Sequence, residues 1–387
     1  MNLRSKLPLV GETIFTTMSV LAEQHKAINL AQGFPDFPPS ERLTFWMNEC
    51  MQRPVHQYAP MAGMLPLREQ VAEVLGKHTG HYYNPGEEVT ITAGATQALF
   101  TAILALIKPG DEVIYFEPAY DSYQPAISLS GGIGIPLPLC LPEGNLPWNE
   151  IEHSLSPASR MIILNVPHNP CGTLLSKNDM ERLQEVAEKH DLIVLSDEVY
   201  AHLVFPGAEF YSAAAFPGLA ARSIVVGSFG KTFHCTGWKV GYAAAPAVLS
   251  KEFRKVHQYN VFSVNRPAQE VLSNMLAEPG HLESLGALFE EKYRIFTGAC
   301  TGTGFTFAPS FGTYFVLADY SNLSDESDLA FCKRLVQEAG VAAIPLSSFY
   351  TDPQTAPKGW IRFCFAKQTQ TLQAAAERLK KWCREKE

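Results

Sequence analysis

The chain has 387 residues, 46% of them hydrophobic, with 31 Lys and Arg against 39 Asp and Glu for a net charge of -8. That length exceeds one ordinary compact domain, and the acidic balance, with no basic tail or arginine stripe, argues against a nucleic-acid partner. The eight cysteines show no CxxC pair or metal-ligand spacing, the opening MNLRSKLPLVGETIF holds no signal-peptide core, and no apolar run reaches the ~18 residues of a membrane span, so a reduced, cytoplasmic, metal-free protein is expected.

Short apolar, β-branched runs recur at 88–93, 112–116, 161–165, 192–196, 223–227 and 240–245, separated by helix-patterned segments such as Gln97 to Ile107. Runs that are apolar throughout, not alternating, predict strands buried on both faces, hence an α/β architecture with a mostly parallel central sheet covered by helices. Beyond about residue 280 the pattern changes: a long amphipathic stretch from His281 to Ala299, then Thr313 to Tyr320, a helix near Asp325 to Ala339, strands Val341 to Pro345 and Trp360 to Phe365, and a terminal helix. This predicts a smaller α+β domain at 281–387, a large domain at 41–280, and an N-terminal segment, 1–40, joining the small one. No repeat or low-complexity linker marks the boundaries.

Ligands of such sheets bind at the carboxyl ends of the strands. Following the predicted strands in turn are Gly94-Ala95-Thr96, Tyr120, Asn169, Asp197 with Tyr200, and Ser228 with Lys231. Within the last segment, SFGKTFHCTGWKVGY, Gly230-Lys231-Thr232 has the ending of a phosphate-binding P-loop. That loop requires glycine five positions before Gly230, and the residue there is Val225. A lysine ending a buried strand, with a second cation at Lys239, instead suits an amine of lowered pKa able to form a Schiff base; the plain alternative is a solvated lysine.

Asp197 is either a helix N-cap or a buried partner for a cation, such as the protonated ring nitrogen of pyridoxal phosphate, with the Tyr200 phenol placed beside the cofactor's 3-oxygen. Gly94, Ala95 and Thr96 at a helix start offer free N–H groups to a phosphate, to which Ser228 and Lys239 add a hydroxyl and a charge. Arg362 interrupts the apolar run WIRFCFA. Its planar fork awaits either an internal Asp or Glu or the carboxylate of an amino acid.

These stretches, together with AQGFPDFPP, QYAPMAGMLPLRE, TAGATQALF, EPAYDSY, NVPHNPCGT and SDEVY, occur in one order over nearly the whole chain. In that respect the sequence resembles the class I, fold type I, pyridoxal-phosphate aminotransferases, in the branch of bacterial methionine aminotransferases, kynurenine aminotransferases and glutamine transaminase K. The resemblance implies that Lys231 carries pyridoxal 5'-phosphate covalently and shuttles the proton, and that Asp197 pairs with the ring nitrogen. It further implies that Tyr200 and Asn169 bond the 3-oxygen, that Tyr120 and Val199 cover the two ring faces, and that Ala95, Thr96, Ser228 and Lys239 cradle the phosphate. Tyr58 would join that cradle from a second subunit, making a homodimer with shared active sites.

By the same resemblance, Arg362, Asn169 and Gly33 hold the substrate carboxylate, and Phe15 and Phe262 line the side-chain pocket. Where relatives often read NPNNP this chain has Val166-Pro167-His168-Asn169-Pro170, which keeps the asparagine and makes His168 a structural neighbour. The expected activity is ping-pong transfer of an amino group from methionine or an aromatic amino acid (Phe, Tyr, Trp, His or kynurenine) to a 2-oxo acid. An aromatic-lined pocket favours such side chains over dicarboxylates. The alternatives are a cysteine-conjugate C–S β-lyase, told apart by release of pyruvate and ammonia, and a non-catalytic cofactor sensor, for whose DNA-binding segment the matched stretches leave no room.

Overall fold

The computed structural model describes residues 4–8 and 10–385. At its centre is a seven-stranded sheet built from β1 (Val89–Thr92), β2 (Glu112–Glu117), β3 (Ile133–Pro138), β4 (Ser159–Asn165), β5 (Ile193–Asp197), β6 (Ser223–Ser228) and β7 (Gly241–Ala244). The order across the sheet is β1-β7-β6-β5-β4-β2-β3. Only β7 runs against its neighbours, β1 and β6; the other pairings are parallel.

Alternate residues explain why these strands read as unbroken apolar runs. Ile114, Ile162, Val194 and Val225 enter one core, while Val113, Ile163, Leu195 and Val226 enter another across the sheet. Helices cover both faces, so each position is dry, and burial of each such side chain contributes roughly 1.5–3 kcal/mol. The strand that composition did not reveal is β3, IGIPLP, which pairs only with β2 and is largely solvent-accessible. An edge strand tolerates Pro136 and Pro138 because it needs few ladder donors, and those residues hide it from a reading based on apolar runs.

The C-terminal part forms a four-stranded antiparallel sheet, from β8 (Thr306–Phe307), β9 (Phe315–Asp319), β10 (Ile344–Pro345) and β11 (Trp360–Cys364), in the order β10-β11-β9-β8. The single strand expected at 341–345 is two: Val341–Ala342 pairs in parallel with Ile28–Asn29, and Ile344–Pro345 pairs with β11. The helix expected from Asp325 starts at Asp328, where the Ser327 side chain accepts the Ala330 N–H, and its last turn, Leu335–Ala339, is wound wider before Gly340 at φ 66. Met18 and Ala22 of helix α1 (Ile14–Gln24), with Leu30 and Ala31, pack into the same core as this sheet, helix α4 (His281–Ala299) and helix α5 (Thr369–Arg384). Two further helices matter for the site: α2 (Ala95–Leu106), after β1, and α3 (Tyr123–Ser130), after β2. No helix among the described residues is long and apolar enough to cross a membrane, and no His, Cys, Asp and Glu group there is placed to hold a metal.

Candidate active site

The register brings the functional ends together. Thr92 of β1 and Ser228 of β6 both pair with Gly241, so the carboxyl ends of these strands meet the start of β7. A cavity of about 150 Å³ opens there, lined by Ala95, Thr96, Tyr120, Asn169, Asp197, Val199, Tyr200, Ser228, Lys231 and Lys239. Each of these was expected from the sequence. Asn165, Thr236 and Leu99 line it as well and were not.

One end of the cavity is built for an anion. Gly94 caps α2 at φ 84 without a side-chain bond, leaving the first N–H groups of a twelve-residue helix at its positive end. A Cβ on Gly94 would stand 3.4 Å from the Lys239 Nζ, and one on Gly241 would stand 2.9 Å from the Ala95 nitrogen. The absence of both side chains is what lets the backbone and the lysine approach. Lys239 itself is left-handed, φ 53, the turn that follows Thr236–Trp238.

At the far end, Asp197 closes β5 and is 3% exposed. It is not an N-cap. Its Oδ2 accepts the Tyr123 hydroxyl at 2.6 Å, its backbone carbonyl accepts the Asn165 amide at 3.0 Å, and its buried Oδ1 has no hydrogen-bond partner among the described residues. Burial pushes the carboxyl up to about 6, against the pull of the Tyr123 hydroxyl, the Val199 N–H and the Lys231 charge. Tyr123 and Asn165 are the residues the sequence reading missed here. Both sit inside motifs it did use, EPAYDSY and NVPHNP, yet nothing in their spacing tells a strand-end amide or a helix-start phenol from packing. Tyr120 hydrogen-bonds the Thr96 hydroxyl at 3.0 Å, which sets its ring beside the cavity. His168, expected as structural, is buried with Nδ1 unpartnered, and burial pulls its pKa down to about 4.

Between these ends lies Lys231. Its Nζ makes one long contact, 3.4 Å, to the Gly33 carbonyl and sits 5.7 and 5.5 Å from the ring centres of Tyr200 and Tyr314. Burial lowers its pKa to about 8, aided by the charges of Arg362 and Lys239 and opposed by Asp197. Lys231 is partly buried at the cavity wall.

Arg362 has no internal carboxylate partner among the described residues. Its Nη1 donates to the Asn169 Oδ1 at 3.0 Å and its Nη2 to the Ala31 carbonyl at 2.7 Å, while Nε is buried and unpaired. The guanidinium lies 4.0, 5.1 and 5.4 Å from the ring centres of Phe315, Phe349 and Phe15, and burial lowers its pKa to about 10. Phe15, expected in the side-chain pocket, packs near the arginine, and Gly33, expected in the carboxylate subsite, lies two residues after the arginine's partner Ala31, with its carbonyl accepting from Lys231 and Tyr314. Tyr58 and Phe262 are not at this chain's cavity: they lie on the surface, 77% and 50% exposed, edge to face at 5.1 Å.

An amine of lowered pKa, a buried carboxylate and an anion cradle line one cavity, and Asn169 links that cavity to a guanidinium with no carboxylate partner among the described residues; these are groups that amino-group transfer can use. The chain belongs to the aminotransferase class I and II family, whose model matches residues 25–379. It is 49% identical to the methionine aminotransferase of Escherichia coli, over 97% of both chains. It is also 36% identical to a probable N-succinyldiaminopimelate aminotransferase of Mycobacterium tuberculosis and 32% identical to rat kynurenine–oxoglutarate transaminase 1, over 97% of each chain in both comparisons. A crystal structure of YbdL from Escherichia coli, described as a methionine aminotransferase, superposes with a TM-score of 0.96 at 48% identity, covering 98% of this chain and all of that one. The protein is an aminotransferase of fold type I.

Proposed function

We propose that this enzyme uses pyridoxal 5'-phosphate to exchange the amino group of methionine or an aromatic amino acid with a 2-oxo acid. The observation that carries the cofactor is the unpartnered, buried Oδ1 of Asp197 in the same cavity as Lys231 and the Lys239 cradle. An unpaired buried acceptor is costly unless a donor arrives, and a ring N–H⁺ is such a donor. When bound, the cofactor supplies an aldehyde for the amino group and a ring that accepts the electrons left by α-proton loss.

The chain's own residues supply the rest. Ala95, Thr96, Ser228 and Lys239 hold the phosphate; Tyr200 and Asn169 hold the 3-oxygen; Tyr120 and Val199 enclose the ring. Arg362, with Asn169 and Gly33, fixes the substrate carboxylate and so aims its α-hydrogen. The Lys231 Nζ takes that proton as base and returns it as acid. Because its amine is neutral above a pKa of about 8, capture of the cofactor by the apoprotein is expected to accelerate as pH rises through about 8 and then level off. Stopped-flow absorbance checks this; a rise continuing towards the ordinary lysine range near pH ~10.4 would contradict it.

For the substrate, the choice rests on the resemblance to the Escherichia coli methionine aminotransferase and on the partly buried Phe15 beside Arg362, a ring suited to an apolar side chain. A screen of half-reactions, mixing the loaded enzyme with single amino acids, is expected to convert methionine and aromatic donors fastest. Aspartate or N-succinyldiaminopimelate as best donor would overturn the choice, and pyruvate with ammonia from cysteine conjugates would indicate the β-lyase. We further infer a cytoplasmic homodimer, in which the exposed Tyr58 and Phe262 pair enters the other subunit's site. The units are those of the sequence reading: 41–280 holding the cofactor, and 281–387 joined by residues 1–40.

A further inference from the structure

Gly33 lies in an irregular strap, Ala31 to Asp36, that has no secondary structure to fix its peptide planes. The strap is held from outside, by donors in and next to the C-terminal sheet. The Ala31 carbonyl takes the Arg362 Nη2 at 2.7 Å, and the Gly33 carbonyl takes the Tyr314 hydroxyl at 2.7 Å. The carbonyls on either side of Gly33, those of Gln32 and Phe34, both face one ammonium: the Lys367 Nζ, at 3.4 and 2.7 Å.

Lys367 is an unusual residue. It is 3% exposed, has no ion pair among the described residues, and lies 4.9 Å from the Phe34 ring centre. Lysine is seldom buried so fully without a carboxylate. Its own carbonyl is pinned by the Lys292 Nζ at 2.7 Å, and the next residue, Gln368, donates its N–H to Asp36 at 2.5 Å. The opposite fastener is fixed as firmly: Thr313, which precedes Tyr314, is a fully buried β-branched residue at φ 65, a conformation kept only where surroundings impose it.

A trans peptide points its C=O and N–H in opposite directions. A donor on the Gln32 carbonyl therefore sets the direction of the Gly33 N–H. We propose that Lys367 is a positioning residue for the substrate carboxylate: by gripping the carbonyls on both sides of Gly33, it turns the Gly33 N–H to the side away from itself, where it joins Arg362 in binding the carboxylate. The assignment rests on the reading of Arg362 and Gly33 as that subsite. It explains why a cation is spent on carbonyls, and why it lies five residues after Arg362 on the same continuous segment.

The test is binding of 3-phenylpropionate, an unreactive carboxylate, to holoenzyme by calorimetry. Arg362→Gln is expected to abolish binding; Lys367→Met is expected to weaken it about tenfold or more, with Lys367→Arg, which keeps the donors, within about threefold of wild type. In steady state, Lys367→Met is expected to raise KM for donor and acceptor together by about tenfold, with kcat changed by less than about threefold. If Lys367→Met does not fold, Lys367→Gln serves for the same comparison. Loss of binding in the arginine variant with unchanged binding and KM in the lysine variants overturns the proposal alone. No effect of the arginine variant, or no binding to wild type, overturns the carboxylate subsite and the proposal with it.

Discussion

A Lys231→Ala variant is expected to lose roughly four orders of magnitude or more of its turnover, in keeping with loss of a general base that is also the covalent anchor. It should still fold. Among the described residues the Lys231 Nζ makes one hydrogen bond, the 3.4 Å contact to Gly33, and no carboxylate pairs with it, so its removal strands no partner charge. The surrounding strand end, with β6 paired on both sides, does not depend on it. The variant is therefore expected to keep its melting temperature within a few degrees and to bind the cofactor reversibly, without the absorbance of the covalent form. Turnover within about tenfold of wild type would remove Lys231 from the chemistry and the covalent reading with it.

An external amine gives the sharper version of the same measurement. Small amines added to Lys231→Ala should restore part of the rate in proportion to their free-base concentration. The cavity that truncation leaves adjoins the existing hollow of about 150 Å³, so a small amine has a path to the vacated position. Rescue that followed amine size but not basicity would point to a packing role for the lysine stem.

Most of the site was legible because its residues fall at strand ends, and a buried parallel sheet announces its strands as apolar runs. Ala95, Tyr120, Asp197, Ser228 and Lys231 were located by that rule; the failure of the P-loop pattern at Val225 removed one reading of Lys231 and left the solvated lysine open. The resemblance to known aminotransferases added their roles. Residues that act through another residue stayed hidden. The Tyr123 hydroxyl reaches Asp197 across 74 positions of sequence, and Lys367 reaches Phe34 across 333, separations at which spacing carries no information. The edge strand β3 and the split at Ala343 escaped for the opposite reason: exposure and short pairing blur a pattern that depends on burial. Tyr58 and Phe262 mark a further limit: both were expected at the site, and in the single chain both lie on the surface.

Asp197→Asn separates the catalytic use of this carboxylate from its cost to the fold. The amide preserves shape and can still accept the Tyr123 hydroxyl, but it lacks the charge that keeps a ring nitrogen protonated. Turnover is expected to fall by two to three orders of magnitude, the scale of removing one preorganised electrostatic contact in a dry site. Stability of the apoprotein should move the other way. Burial raises this carboxyl to about 6 in the folded chain, whereas in the unfolded chain it titrates near ~4. Above both values the folded state holds a charge that water would solvate better, and the linkage sign makes this a destabilisation, absent below pH ~4 and complete above pH ~6. The apo variant should therefore be more stable than apo wild type by up to about 3 kcal/mol at pH 8, with the gap closing as pH falls. Adding the cofactor should reverse the order, because only the carboxylate gains a cationic partner. Melting curves of both proteins, with and without cofactor at pH 8 and pH 4, decide the matter: an apo variant less stable than wild type at pH 8 would mean that Asp197 serves the fold, and an unchanged cofactor-induced shift would mean that it does not meet the ring.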